Sequence, residues 1–276
     1  MAPGPRLTDD QARVLVDTAR RVAGVAIAAD KLSFLELRVN RRLREIDCPD
    51  FVSYIALLRG PQGAAEARCV AEALTTHTTS FFREKAHYDW LAREGLPTLL
   101  QNGAARKLTI WSAACSLGSE MWSSAMLLDR IAASRPTPLS WEVVGTDVSR
   151  RILKRAANAV FTPDEITGIP EDLRRRYLMR SVGPRELYRI VPELRERARL
   201  AWANLIDLDA GLRLTADVIF LRNVLIYFTP PDQDRAVDGV VARLRPGGYL
   251  LTGHSESLKN PPRALRQIAA SIYQKV

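Results

Sequence analysis

The sequence predicts an α/β protein in two parts, an all-helical amino-terminal module followed by a mostly parallel sheet wrapped by helices. Three observations predict it. Apolar side chains recur at three- and four-residue spacing over residues 8–59, the period of helices with one buried face. Beyond Lys107 the pattern changes to short apolar runs alternating with amphipathic stretches, as in parallel sheets covered on both faces. The chain's 276 residues exceed one typical domain of about 150.

In the first part the stripe runs through Val14, Val16, Val22, Val25, Leu32, Leu35, Val39 and Leu43, then Phe51, Tyr54, Ile55 and Leu58. Gly60-Pro61-Gln62-Gly63 breaks it and marks a linker. The expected division is therefore a helical domain over residues 1–65 and an α/β domain over 66–276. Glu66–Leu74 is again helical, and Thr75-Thr76-His77-Thr78-Thr79-Ser80 suits a turn or cap better than a helix interior. Five apolar runs read as strands: Leu108–Ser112, Trp141–Thr146, Arg199–Asn204, Asp217–Leu221 and Tyr249–Gly253. Between the second and third, residues 179–197 resemble a small inserted β-subdomain more than a crossover helix.

Composition narrows the chemistry. With 47% hydrophobic and 26% charged residues the chain is an ordinary globular one. It lacks an apolar run of the roughly 20 residues a membrane crossing needs, and MAPGPRLTDD is not an export signal, so a cytoplasmic protein with no membrane insertion is expected. Three scattered cysteines and three histidines suggest neither a disulfide framework nor a metal centre. The net charge of +9 favours an acidic partner. It is concentrated in residues 171–199, with nine arginines against five acids, and in 38–44, where Arg38, Arg41, Arg42 and Arg44 meet no acid. No aromatic-interleaved basic stretch marks a nucleic-acid binder, and none is expected as a partner.

Residues 108–130 hold an apolar strand, a loop of small residues and a helix beginning near Glu120. The first strand-to-helix turn of a doubly wound sheet is where nucleotide-like ligands approach the backbone, although the lone Gly118 is not a full dinucleotide fingerprint. The second run ends in Asp147, placed to accept ribose hydroxyls or to cap the next helix. The fourth runs into Arg222 and Asn223, polar groups that are unfavourable at a buried strand end unless they meet a ligand or each other.

Five stretches carry a specific resemblance: TTHTTSFFRE (75–84), IWSAACSLGSE (110–120), VVGTDVSRRIL (143–153), FLRNVLIYF (220–228) and LRPGGYLLTGHSESL (244–258). Together they resemble the CheR family of chemotaxis receptor glutamate O-methyltransferases, and the likeness extends to the helical module through LRVNRRLREIDCPDFVSYIALL. The resemblance implies a Rossmann-like S-adenosylmethionine-dependent methyltransferase domain with a small inserted β-subdomain, preceded by an all-α domain. It implies S-adenosyl-L-methionine as cofactor, S-adenosyl-L-homocysteine as product, and methyl esters on glutamates of receptor cytoplasmic helices.

Roles follow position by position. The resemblance gives cofactor contacts to Thr79 and Arg83, with His77 where the family has Asn, and to Glu120, Asp147, Asn204, Leu205, Arg222 and Asn223. The turn also departs from the usual Glu-Glu-Pro-Tyr-Ser, reading Ser119-Glu120-Met121-Trp122-Ser123. Arg222 is expected to orient the incoming carboxylate and Tyr227 to supply a hydroxyl, with no enzyme nucleophile, since a glutamate is already ionised at neutral pH. The arginines at 38, 41, 42 and 44 are expected to meet the receptor helix. Gly183-Pro184 and Pro192 leave little room for an added strand, so dependence on a receptor tail peptide is not expected. The alternatives are a nucleic-acid or small-molecule methyltransferase on the same fold and a non-catalytic S-adenosylmethionine sensor on a degenerate scaffold. Cofactor turnover separates the sensor from the enzymes.

Overall fold

The computed structural model describes residues 6–24, 31–61, 63–101, 107–208 and 212–276. They form two compact units, Met1–Thr76 with Tyr227–Arg235, and His77–Ile226 with Ala236–Val276. No helix among the described residues is long and apolar enough to cross a membrane.

The first unit contains α1 (Asp9–Ala23), α2 (Leu32–Glu45), α3 (Phe51–Arg59) and α4 (Gly63–Leu74). Thr8 starts α1 with a reciprocal cap: its hydroxyl accepts the Gln11 N–H while the Gln11 side chain accepts the Thr8 N–H. Asp50 caps α3 by accepting the Ser53 N–H at 2.8 Å. The helices are joined by a buried polar knot. Arg42 on α2 donates from Nε and Nη2 to the two oxygens of Glu66 on α4, each at 2.8 Å, and the Tyr54 hydroxyl of α3 donates to Glu66 at 2.6 Å. Burial pushes the Glu66 carboxyl up, but Arg42 and Tyr54 outweigh it and hold the group below its ordinary value.

This knot changes two expectations. Because α4 supplies Glu66 to it, the helical unit extends to Thr76 and not to residue 65. Arg42 is not part of an open basic face, since its side chain is 23% exposed and held bidentately. Arg41 and Arg44 are exposed, Arg41 pairing with Glu45 at 3.3 Å, and Arg38 lies over the Phe34 ring.

In chain order the second unit runs α5 (Lys85–Trp90), α6 (Leu96–Gln101), β1 (Leu108–Ala113), α7 (Ser119–Ala133), β2 (Trp141–Asp147), α8 (Arg150–Asn158) and β3 (Val160–Phe161). It continues with α9 (Glu171–Tyr177), β4 (Leu178–Arg180), β5 (Tyr188–Ile190), α10 (Pro192–Arg195), β6 (Ala198–Trp202) and β7 (Ala216–Leu221). It ends with α11 (Pro230–Ala242), which begins in the first unit, then β8 (Leu244–Thr252), β9 (Leu265–Ala269) and β10 (Ile272–Lys275).

One sheet has seven strands in the order β6-β2-β1-β7-β8-β10-β9. The first five pair in parallel, and β10 joins β8 and β9 antiparallel. Every residue of β1 and β7 is buried, which is why both read as continuous apolar runs. The five expected strands are β1, β2, β6, β7 and β8, the last starting at Leu244 and not at Tyr249, while β9 and β10 were not expected. After β2 the chain works outward on one side of β1 and then returns to the other side as β7, so the crevice lies at the carboxyl ends of β1 and β7.

A second sheet, β3-β5-β4, forms the inserted subdomain. It is wider than residues 179–197, because β3 pairs with β5 immediately after α8. Pro192 begins α10 and lies in no strand, so it does not bear on strand addition. Glu66→Ala should destabilise the protein by about 2 kcal/mol in denaturant unfolding, less than a fully buried pair would lose because Arg42 is partly hydrated.

Candidate active site

After β1 the backbone turns through Ala114, Ser116 and Gly118 at φ 67°, 51° and 89°. Left-handed conformations at the two non-glycine residues cost roughly 1 kcal/mol or more each and need external support. The Cys115 N–H donates to the Thr146 carbonyl at 2.7 Å, and the Ser116 N–H donates to Asp147 Oδ2 at 3.0 Å. The Ser116 hydroxyl donates to the His77 carbonyl at 2.8 Å. Asp147 also accepts the Ser149 N–H at 2.9 Å, while Ser149 itself caps α8, so Asp147 orients the cap and does not supply it. A turn of small residues with a buried, oriented carboxylate at its rim fits an adenosine and its ribose hydroxyls.

Residues 77–84 are tied across this crevice at several points. Besides the His77 carbonyl, the Phe82 N–H donates to Ser123 Oγ at 2.9 Å, and the Ser123 hydroxyl donates to the Ser119 carbonyl at 2.7 Å. The Arg83 carbonyl accepts from Arg222 Nη1 at 2.8 Å. Thr79 is half-buried, and Arg83 returns its guanidinium to the Thr78 carbonyl at 3.4 Å.

Arg222, one residue beyond β7, has a side chain only 1% exposed. Its Nε donates to Glu120 at 2.7 Å, and the other Glu120 oxygen accepts the Ser112 hydroxyl at 2.7 Å. Nη1 adds Glu84 at 3.4 Å and faces His87 Nδ1 at 3.1 Å, while the guanidinium lies 4.9 Å from the Phe220 ring centre and 5.5 Å from that of Tyr88. Burial depresses the arginine's pKa, but Glu120, Tyr88 and Glu84 more than compensate and raise it. Arg222, expected to present its guanidinium to a substrate carboxylate, is here held by the protein, with Glu120 as its counter-ion.

Asn223 follows at φ 56°, its N–H given to Glu256 and its Nδ2 to Glu84 at 3.3 Å. Glu256 also accepts the N–H groups of Ile226 and Gly253. Burial pushes this carboxyl up against the pull of those donors. A Cβ at Gly253 would lie 2.5 Å from Glu256 and 2.9 Å from Asn223 Nδ2, so only glycine fits there. Asn204 and Leu205 are buried beyond β6, where Asn204 Oδ1 accepts the Ile206 N–H at 3.3 Å. Tyr227 closes a 3-10 turn and falls in the first compact unit.

Three residues missed in the sequence, Glu84, His87 and Glu256, complete the cluster. The signals were there: Glu84 and His87 sit three apart in REKAH, and Glu256 lies in GHSESL. His87 is buried, and burial followed by the nearby Arg222 lowers its pKa to about 4. Among the described residues, Glu84, His87 and His254 have donor atoms within 4.8 Å of one another, close enough for a metal ion. Arg222 stands against two of them, and unit charges repel by about 4 kcal/mol at 4 Å in a medium of effective dielectric about 20.

A doubly wound sheet with this crevice and these anchors defines the Rossmann-like S-adenosylmethionine-dependent methyltransferases. Residues 77–274 match the model of the CheR methyltransferase SAM-binding domain, and residues 11–75 match that of the CheR methyltransferase all-alpha domain. Chemotaxis protein methyltransferase 2 of Pseudomonas aeruginosa is 34% identical over 92% of this chain and 88% of its own. The chemotaxis protein methyltransferases of Salmonella typhimurium and Escherichia coli are each 32% identical over 97% of this chain, covering 90% and 91% of theirs. The chain belongs to the CheR methyltransferase family and is an S-adenosylmethionine-dependent chemotaxis protein methyltransferase.

Arg222→Ala should lower cofactor affinity and folding stability together, the latter by about 3 kcal/mol, because it strands Glu120 and Glu84 without their countercharge. Calorimetry and denaturant unfolding measure both. Lost turnover with intact cofactor binding would return Arg222 to a substrate-contacting role.

Proposed function

We propose that this enzyme esterifies glutamate side chains on the cytoplasmic helices of chemotaxis receptors, and that it does so without a receptor tail peptide as tether. S-adenosylmethionine, when bound, supplies an electrophilic methyl group on a sulfonium. The chain's own task is alignment and exclusion of water, since the ionised substrate carboxylate needs no base. Asp147 would hold the ribose hydroxyls and the 77–84 segment would cover the cofactor, with Glu120 and Arg222 keeping the turn and the β7 tip in register. The observation that carries this reading is the joining of 77–84, the β1–α7 turn and the β7 tip through Ser116, Ser123 and Arg222.

Tether independence is supported by the β4–β5 loop. Ser181 Oγ accepts the Leu187 N–H at 3.0 Å and its hydroxyl donates to the Arg185 carbonyl, while the Ser181 N–H donates to the Leu187 carbonyl at 2.8 Å. A loop closed this tightly offers little slack for an inserted peptide. Saturable micromolar binding of aromatic-ended receptor tail peptides to this subdomain would overturn tether independence.

The reading is tested with labelled S-adenosylmethionine and receptor-rich membranes, where base-labile label on the receptor is expected. Asp147→Ala should weaken cofactor binding at least about tenfold, or about 1.4 kcal/mol, in calorimetry. On α2 the receptor-facing cations are proposed to be Arg38, Arg41 and Arg44, without Arg42. Reversing Arg41 and Arg44 to Glu should reduce receptor methylation and its salt sensitivity while leaving cofactor affinity unchanged. Methylation indifferent to both reversals would remove α2 from recognition.

A further inference from the structure

Arg222 leaves the substrate carboxylate without its expected donor. Around the tips of β7 and β8 three backbone and amide donors are also engaged. The Asn223 N–H serves Glu256, Asn223 Nδ2 serves Glu84, and the His254 N–H reaches Glu84 at 3.4 Å. Two imidazoles stand at the same place. His254 is exposed at the carboxyl end of β8, and no hydrogen bond of its ring is recorded among the described residues. His87 lies beneath it, the ring centres 5.0 Å apart and the planes at 77°.

The tautomer of His87 follows from its neighbour. His87 Nδ1 lies 3.1 Å from Arg222 Nη1, which only donates, and 3.4 Å from Glu84 Oε2, which only accepts, so the closer guanidinium favours a neutral ring with its proton on Nε2. That Nε2 is buried and has no partner. A buried donor left unpaired costs roughly 1–3 kcal/mol, which singles this position out beside an exposed imidazole at the strand tips.

Resting on the methyl-ester reading, we infer that the His254 imidazole donates the hydrogen bond that positions the substrate glutamate carboxylate, with buried His87 fixing the His254 ring from below. His254 is the catalytic residue in this arrangement, since it touches substrate, and His87 is a positioning residue. One carboxylate oxygen accepts from His254. The other attacks: its O–CH3 bond forms as the S–CH3 bond breaks, the electron pair of that bond stays on sulfur, and no proton moves. A single imidazole N–H suits this step, because it orients the carboxylate without the bidentate ion pair that a guanidinium would make with it.

The test compares the full-length enzyme with His254→Ala and His254→Gln, using labelled S-adenosylmethionine at saturation and varied receptor membranes. Because His254 is exposed, neither variant threatens the fold. His254→Ala should lower kcat/KM for receptor at least about tenfold, and His254→Gln, which keeps a neutral donor, should recover to within about threefold of the parent. Cofactor affinity by calorimetry should be the same in all three. Parent-like methylation by His254→Ala overturns the inference, as does a parallel loss of cofactor affinity or a failure of glutamine to rescue. If the parent enzyme itself places no base-labile label on receptor, the methyl-ester reading fails and this inference falls with it. Labelling by the parent with an indifferent His254→Ala defeats the inference alone.

Discussion

The buried guanidinium of Arg222 is the constraint on which the site depends. Removing a cation from water carries a desolvation penalty of several kcal/mol, recovered only where the surrounding acceptors have good geometry. Here they come from three separate places: Glu120 on α7, the Arg83 carbonyl with Glu84 before α5, and the aromatic faces of Phe220 and Tyr88. Each partner is held in turn, Glu120 by Ser112 and Glu84 by Asn223. The cost of an unmatched charge therefore enforces the spacing between the β1–α7 turn, the 77–84 segment and the end of β7.

The same enforcement accounts for backbone that would otherwise relax. Phe82, Glu84 and Asn223 sit at φ 51°, 56° and 56°, conformations that residues with a Cβ avoid. They flank the atoms that bind Arg222 or Ser123. At the opposite end of the segment, Ser116, itself at φ 51°, joins the His77 carbonyl to Asp147. The segment is thus pinned at both ends, and the two pins are the β1–α7 turn and the β7 tip. Such strain persists only where surrounding contacts over-determine it, as they do here.

The strands and the order of the chemistry were legible because they are local. Continuous apolar runs gave β1, β2 and β7, and a carboxylate after an apolar run gave Asp147. Pairing across long stretches of chain was not legible. Arg222 and Glu120 are 102 residues apart, and nothing near Arg222 shows that its partner is internal. Arg42 misled for the same reason: its helix neighbours suggest a basic stripe, whereas Glu66 lies 24 residues on and beyond a Gly-Pro break. The family resemblance supplied the cofactor and the list of positions, but not which of them face a ligand and which face each other. The β9–β10 pair escaped because β9 is exposed at nearly every position, so its sequence lacks the apolar signature of the central strands.

Compensation of Arg222 also bears on how the site handles charge. The proposed esterification brings a cationic sulfonium together with an anionic carboxylate and ends with both neutral. An uncompensated guanidinium at the β7 tip would bind that carboxylate most strongly before reaction, when its charge is full, and would stabilise the ground state more than the transition state. With Glu120 and Glu84 as counter-ions, Arg222 contributes order to the crevice without adding a free positive charge to it. His87 belongs to the same economy: buried and kept neutral, with a pKa near 4, it fills the space between the cation and His254 without becoming a second cation. On the proposed reading, the substrate then meets a crevice whose buried cation is already matched, so the nucleophile can be held in line and released once its charge has gone.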